Sequence, residues 1–222
     1  MQAGKATYSS PADLPEAIPI FPLASALLLP RAQMPLNIFE PRYLAMVDAA
    51  MAGDRIIGMI QPASEGEGEV PLFPIGCMGR ITSYAETDDG RYMICLTGIS
   101  RFRIVEEVEG DAGFRRCRVT AEPFREDFLE NAGADAVDRA RLLDVFRAYL
   151  EAHRLEADWD NIDRTSNETL VNALSMMSPY GPAEKQALLE AADLRSRAET
   201  LIALTEMSLA RRGEGGGSPL LQ

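Results

Sequence analysis

The chain has 222 residues, with 22 basic and 34 acidic side chains and a formal charge of −12 at pH 7. Its hydrophobic share of 46% is ordinary for a globular protein, which excludes intrinsic disorder for the bulk of the chain. The acidic balance argues against duplex nucleic acid or an anionic membrane as the main partner. No stretch approaches the ~20 apolar residues of a membrane span, and the first ten residues lack the apolar core of a signal peptide.

The cysteine and histidine content argues against a disulfide framework and against a metal site. The chain has three cysteines, Cys77, Cys95 and Cys117. An odd number of widely spaced cysteines is typical of unpaired thiols in a reducing compartment. His153 is the single histidine, and no Cys-x-x-Cys or paired-histidine spacing occurs. We therefore expect a cytoplasmic protein with no catalytic residue, no metal and no cofactor.

The first half of the chain carries mainly β signals. Residues 1–14 are polar and aperiodic, which predicts a flexible leader. In residues 15–125, prolines interrupt the apolar runs 18–23 and 34–39, and this confines such runs to edge or irregular strands. A short helix is predicted from Pro41, a residue that fits the first helical position, to a cap at Gly53.

Further strands follow with turn signals between them. Asp88-Asp89-Gly90 separates two alternating runs and predicts a hairpin. Two more strands are predicted at 100–108 and 114–122, joined across residues 110–113. Short strands at this spacing favour a small, closed or nearly closed antiparallel sheet.

The second half of the chain has helical periodicity. Apolar residues recur at helical spacing over 136–150, 166–177, 183–192 and 194–210, which predicts a helical bundle over residues 126–212. Methionines 34, 46, 51, 59, 176 and 177 could supply an adaptable surface for varied apolar partners, but their helical and strand spacing favours the core for most of them. The glycine-rich residues 213–222 predict a flexible tail.

Several ordered motifs resemble the Lon N-terminal domain family, also called the Lon substrate-binding domain. The resemblance covers roughly residues 15–212. It rests on the segments Ile18-Pro19-Ile20-Phe21-Pro22-Leu23, Leu29-Pro30, Pro35-Leu36-Asn37-Ile38-Phe39-Glu40-Pro41-Arg42-Tyr43, Pro74-Ile75-Gly76-Cys77, Gly79-Arg80, Asp89-Gly90-Arg91-Tyr92, Leu96-Thr97-Gly98, Arg101-Phe102, Leu170-Val171-Asn172 and Glu184-Lys185-Gln186-Ala187-Leu188-Leu189-Glu190.

The resemblance implies an α+β fold, in which an N-terminal PUA-like antiparallel β pseudo-barrel with one short helix is followed by a C-terminal helical bundle. It implies a stand-alone, non-catalytic module that binds unfolded or flexible protein segments, or an adaptor in proteostasis. The phosphate-binding Gly-x-x-x-x-Gly-Lys-[Ser/Thr] loop is absent from the sequence. The expected partners are proteins, among them an ATP-dependent protease, and a homodimer is left open.

Candidate binding residues lie in two neighbouring segments. The leucine run after Ala26 is bounded by prolines and would need a partner if exposed. The motif at residues 37–43 borders an edge strand, which can accept an extended peptide through main-chain hydrogen bonds. The structural alternative is that Phe39 and Tyr43 anchor the helix to the barrel. The predicted protein-binding residues are Leu27, Leu28, Leu29, Pro35, Leu36, Phe39, Glu40, Arg42 and Tyr43.

Two other functions stay open at this point. An RNA-binding PUA-like module would use the only basic cluster, which comprises Arg101, Arg103, Arg115, Arg116 and Arg118. Cross-strand pairing of Glu107 with Arg116 would instead neutralise part of that cluster. A small-molecule binder or an enzyme would need a closed cavity of several hundred Å³ between barrel and bundle, with convergent polar groups.

Overall fold

The computed structural model describes residues 1–64, 66, 70–109 and 113–215. Within these residues the first half of the chain forms one helix, α1 (Pro41–Ala52), and eight strands. The strands are β1 (Gln2–Ala3), β2 (Ala6–Thr7), β3 (Ala17–Pro22), β4 (Gln33–Ile38), β5 (Ile56–Ile60), β6 (Ile75–Glu86), β7 (Tyr92–Val108) and β8 (Arg116–Thr120).

Six of these strands form a sheet that closes on itself. Their order is β4-β7-β6-β5-β3-β8, and an additional pairing of β7 with β8 closes five of them into a ring. Strand β4 is attached outside the ring through β7. The expected all-antiparallel sheet is wrong in one place, because β3 and β5 are parallel. Parallel neighbours need a crossover connection, which β4 and α1 provide.

Strand β3 tolerates its two prolines because each of its halves is paired on one side. Ala17, Ile18 and Pro19 pair with β8, whereas Ile20, Phe21 and Pro22 pair with β5. Each half is therefore locally an edge, where a residue without an N–H group costs little. The predicted irregular strand is confirmed, with pairing that changes partner midway.

Strand β7 runs unbroken through the region where two strands were expected. Gly98 lies in its middle, and a Cβ atom there would stand 2.1 Å from the carbonyl oxygen of Leu29. The backbone amide of Gly98 donates to the carbonyl of Ala32 at 2.9 Å. The glycine thus permits the segment before β4 to cross β7 at close range, rather than marking a turn.

The first fourteen residues differ from the predicted flexible leader. β1 and β2 form an antiparallel hairpin, followed by a 3₁₀ turn at Pro11–Asp13. Ala3 and Tyr8 are buried, and the Tyr8 hydroxyl accepts a hydrogen bond from Arg80 at 3.1 Å. These contacts with β6 depend on the tertiary fold, so the polar sequence did not reveal them.

The second half is helical, as expected. Its helices are α2 (Arg139–His153), α3 (Trp159–Arg164), α4 (Asn167–Met177), α5 (Pro182–Glu190) and α6 (Leu194–Gly215). The short α3 was not predicted. Helix α6 extends to Gly215, past the expected start of the tail at 213, and residues 216–222 lie outside the described residues. No helix in the described part of the chain is long and apolar enough to cross a membrane.

Barrel and bundle share one apolar core and are joined by buried polar groups. One hydrophobic cluster contains both Leu96 of β7 and Leu188 of α5. Arg101 of β7 pairs with Asp127, and both side chains are buried. The Arg101 guanidinium also donates to the Leu189 carbonyl at 3.2 Å. The buried Arg101–Asp127 pair and its bond to α5 therefore connect the two halves through satisfied polar groups.

Candidate protein-binding surface

Strand β4 offers a sheet edge without a strand partner in the described part of the chain. It pairs with β7 alone, in the register Gln33↔Thr97 to Ile38↔Tyr92. Pro35 is exposed and Leu36 is half-buried. An open edge carries main-chain donors and acceptors that can pair with an added strand.

The outward backbone groups of β4 belong to alternate residues. The amide of Gly98 donates to the Ala32 carbonyl, which makes this a hydrogen-bonded pair. In an antiparallel ladder every second pair is bonded, so Gln33, Pro35 and Asn37 turn their backbone groups away from β7. Pro35 agrees with this, since a proline has no N–H to give to the ladder. Gln33 and Asn37 therefore supply the outward N–H groups.

On the outer face of the sheet beside this edge, the cross-strand neighbours of Pro35 and Asn37 are uncharged. Pro35 pairs with Cys95 and Asn37 pairs with Met93. Met93 is 45% exposed, and Ser83 and Ala85 continue the rows onto β6 as exposed residues. Met93 is not among the sequence-predicted binding residues, although the alternation of buried Ile94 and Leu96 with their neighbours indicates which face it occupies.

The two aromatic residues of the motif at residues 37–43 lie in different environments. Phe39 is 61% exposed at the end of β4. Tyr43 is buried, and its ring lies 4.3 Å from the ring of Phe21. Burial raises the pKa of the Tyr43 hydroxyl above its usual value of 10. Tyr43 therefore anchors α1, as the structural alternative expects, while Phe39 is free for an external contact.

Glu40 and Arg42 form a surface pair at the start of α1. Their side chains are 2.8 Å apart and about half exposed. The Arg42 guanidinium also lies 4.5 Å from the centre of the Tyr43 ring. An exposed pair of this kind contributes roughly 0–1 kcal/mol. The pair covers the ring of Tyr43, and both charged groups stay accessible beside Phe39.

The prediction that the leucine run forms an exposed patch is wrong. Leu27, Leu28 and Leu29 are all buried and belong to the main hydrophobic cluster. The segment lies against β7, where Gly98 leaves room for the Leu29 carbonyl. Three leucines between prolines fit a core segment as well as a surface patch, and only the crossing over β7 decides between them.

A groove of about 330 Å³ opens beside the first residue of β4. One wall is the segment from Pro30 to Gln33, and the other is the face of α4 that carries Ala173, Met176 and Met177. Met177 is 80% exposed, so it is an exception to the core position that its helical spacing favours. It is the last residue of α4, so the helix ends before a neighbour can cover it.

The arginine cluster is dispersed rather than assembled into one basic face. Arg101 is buried against Asp127, while Arg115 and Arg118 pair with Glu107 and Glu106. The predicted pairing of Glu107 with Arg116 is wrong by one position, because Glu107 lies opposite Cys117. The expected neutralisation occurs through other partners, and a flat row of five free arginines does not form.

The cavity beside the Arg101–Asp127 pair measures about 30 Å³, so a ligand site of several hundred Å³ does not form at that pair. No group of three or more His, Cys, Asp or Glu side chains suited to a metal occurs among the described residues. All three cysteines are free thiols. Burial raises the pKa of the Cys117 thiol to about 11, and burial also raises that of Cys77.

Comparison with known proteins identifies a family and relatives that are similar to this chain. Residues 17–206 match the family described as the ATP-dependent protease La (LON) substrate-binding domain. The chain is 28% identical over 201 residues to Lon protease from Desulfosudis oleivorans, and 26% identical over 199 residues to Lon protease 2 from Myxococcus xanthus. These alignments cover 83% and 86% of this chain but 23% and 24% of the relatives, so the chain spans about a quarter of their length.

Two solved structures share the fold. The N-terminal domain of Lon protease from the Mycobacterium avium complex has a TM-score of 0.62 at 21% identity, with 86% of this chain and 98% of that chain covered. The Lon N-terminal domain protein from Xanthomonas campestris has a TM-score of 0.59 at 23% identity, with 84% and 97% covered. The α+β fold expected from the resemblance is confirmed, and the match over residues 17–206 shows that this chain belongs to the Lon substrate-binding domain family.

Proposed function

We propose that this chain binds unfolded or flexible segments of other proteins and itself carries no catalytic activity. The observation that carries the proposal is the edge of β4, which has no second strand neighbour among the described residues and is bordered by the exposed side chains of Phe39 and Met93. Membership of a family described as a substrate-binding domain supports the same function. The bound segment lies along β4 as an added strand.

The backbone of β4 provides the directional part of this binding. The outward N–H groups of Gln33 and Asn37 donate to the segment, and the carbonyl groups of the same residues and of Pro35 accept from it. Main-chain bonds do not depend on the sequence of the segment, so this part accepts many proteins. Because the segment loses conformational freedom on binding, the affinity stays modest for the area covered.

Apolar contacts beside the edge provide the rest. Phe39 lies at the end of β4, and Met93 lies on the outer face of the sheet. Methionine is flexible and polarisable and adapts to different apolar side chains. Among the sequence-predicted residues, Pro35, Leu36, Phe39, Glu40 and Arg42 belong to this surface in the proposal, and Tyr43 supports it from beneath.

The cellular setting is part of the proposal. Free thiols at Cys77, Cys95 and Cys117 fit a reducing cytoplasm. An ATP-dependent protease is the class of partner that would receive the bound segments, and the relatives named Lon protease support this choice. Self-association through β4 is a competing use of the same edge, and the protein's oligomeric state should be measured together with binding.

The test is fluorescence anisotropy of a labelled, reduced and alkylated unfolded protein titrated with this chain at low and high salt. We expect saturable binding that persists at high salt, because most of the contacts are apolar and main-chain. A labelled single-stranded RNA is the comparison, and binding of RNA alone, lost at high salt, would overturn the proposal.

A matched pair of variants tests the role of the edge. Asn37→Pro removes an outward N–H without touching the bonds to β7, whereas Asn37→Ala removes only the side chain. We expect Asn37→Pro to weaken binding about tenfold and Asn37→Ala to bind like the parent chain. A thermal melt of each variant checks the fold. If both variants bind equally well with intact folds, the edge is not the binding site.

A further inference from the structure

The groove beside β4 continues the line of the sheet edge. Gln33 is both the first residue of β4 and a lining residue of the groove. A segment added to the free side of β4 therefore runs into the groove at one end. The volume of the groove, about 330 Å³, lies at the lower end of the range for ligand pockets. This volume suits one or two side chains better than a folded partner.

The wall formed by α4 has an apolar end made by Ala173, Met176 and Met177, while Thr169 and Asn172 make its other end polar. Thr169, Ala173, Met176 and Met177 are separated by four, three and one positions, so they share one face of the helix. Ala173 is small and leaves depth in the groove, while Met176 is half-buried and Met177 is exposed. The wall thus offers two flexible thioether side chains around a shallow floor.

The charges that line the groove leave a net negative one. Arg31 and Glu168 form an ion pair, and the Glu168 carboxylate also accepts from the Asn131 backbone amide at 2.7 Å. These two charges compensate each other. Glu130, the remaining charged residue of the lining, is exposed and has no ion pair among the described residues. The open charge at the rim is therefore an uncompensated carboxylate.

We propose that this groove selects, within the bound segment, a long apolar side chain followed closely by lysine or arginine. This inference rests on the proposed function, since the segment reaches the groove along β4. Met176 and Met177 cover the apolar side chain, and Glu130 attracts the basic one. A segment with an acidic residue in the same place meets like charge and is disfavoured.

Three labelled twelve-residue peptides test the selection by anisotropy. They are identical except for a central pair, which is Leu-Lys, Leu-Glu or Ser-Lys. We expect the parent chain to bind the Leu-Lys peptide about tenfold more tightly than the Leu-Glu peptide and about fivefold more tightly than the Ser-Lys peptide. Equal binding of the three peptides would overturn the inference.

Two variants with matched controls assign the preference to the groove. Glu130→Lys should reverse the preference between Leu-Lys and Leu-Glu, while Glu151→Lys on the exposed side of α2 should leave it unchanged. Met177→Ser should remove most of the preference for leucine over serine, while Met207→Ser on α6 should not. Preferences that survive Glu130→Lys and Met177→Ser would contradict the groove as their source.

The outcomes separate this inference from the function on which it rests. If the unfolded protein binds and Asn37→Pro weakens it, but the groove variants change no preference, the β4 edge stands and the groove is rejected. If the parent chain binds neither the unfolded protein nor any peptide, both proposals are rejected. If Met177→Ser loses binding and also has a lowered melting temperature, the loss could come from unfolding. Glu130→Lys then decides, because it alters only an exposed side chain.

Discussion

The junction between barrel and bundle and the edge of β4 use polar and apolar groups in opposite ways. At the junction, Arg101 and Asp127 are buried and meet their partners inside the protein. At the edge, backbone groups remain open, and apolar side chains such as Phe39 and Met93 face solvent. The contrast indicates that the junction holds the two halves together, whereas the edge is available to a partner.

The junction should show the largest effect on stability. Asp127→Ala leaves the Arg101 guanidinium buried without its carboxylate, which costs about 3–5 kcal/mol of the free energy of unfolding. Urea denaturation measures the change. Glu122→Ala breaks the exposed pair with Arg125 and serves as control, with an expected loss under about 1 kcal/mol. Equal losses in the two variants would abolish the distinction between junction and surface.

A smaller effect is expected where the loop before β4 crosses β7. In Gly98→Ala the new methyl group would stand 2.1 Å from the Leu29 carbonyl oxygen, so the backbone must shift at a cost of about 1–3 kcal/mol. Gly53→Ala is the control, because nothing lies closer than 3.8 Å to its added atom. A thermal melt of both variants checks this. An unchanged melting temperature in Gly98→Ala would contradict the close crossing.

The edge should affect binding and leave stability alone. Phe39→Ala removes a ring that is 61% exposed, so the free energy of unfolding should change by less than about 0.5 kcal/mol. Affinity for the unfolded protein should fall roughly tenfold, or about 1.4 kcal/mol. Leu155→Ala, a similarly exposed site just after α2, should change neither quantity. Joint loss of stability and binding in Phe39→Ala would assign Phe39 to the core instead.

The smallest effect concerns a surface pair and depends on pH. Arg115 hydrogen-bonds the Glu107 carboxylate and lowers its pKa below the usual 4.5, so the pair stabilises the fold above that value. The contribution is lost as the pH falls through the lowered pKa. Glu107→Gln should therefore cost under about 1 kcal/mol at pH 7 and nothing in acid, by urea denaturation. A constant difference across this range would rule out the ion pair as its cause.

The fold could be predicted from local patterns to a large extent. Asp88-Asp89-Gly90 marks the hairpin between β6 and β7, and Pro41 marks the first residue of α1. The sequence allows Thr165 or Ser166 as the N-cap of α4, and Ser166 is the one that accepts a hydrogen bond from the Thr169 amide. Turn and cap chemistry involves residues within a few positions of each other, so one sequence suffices to place it.

The candidate site was predicted less well, because it depends on residues far apart in the chain. The free side of β4 is defined by the absence of a second strand neighbour in the described sheet, which no local pattern of Gln33–Ile38 contains. The groove joins Ala32 to Ala173, which are 141 positions apart. Met177 shares its helical spacing with core residues, and the end of α4 alone leaves it exposed.

The division into a β-rich and a helical half, and the family to which the chain belongs, could both be inferred without a structure. Both follow from periodicity and from ordered short motifs, because these signals involve residues that are close together in the chain. The burial of Leu27, Leu28 and Leu29 and the exposure of Phe39 and Met177 could not be inferred in this way. An apolar side chain lies inside or outside according to what packs over it, and that depends on how distant segments meet.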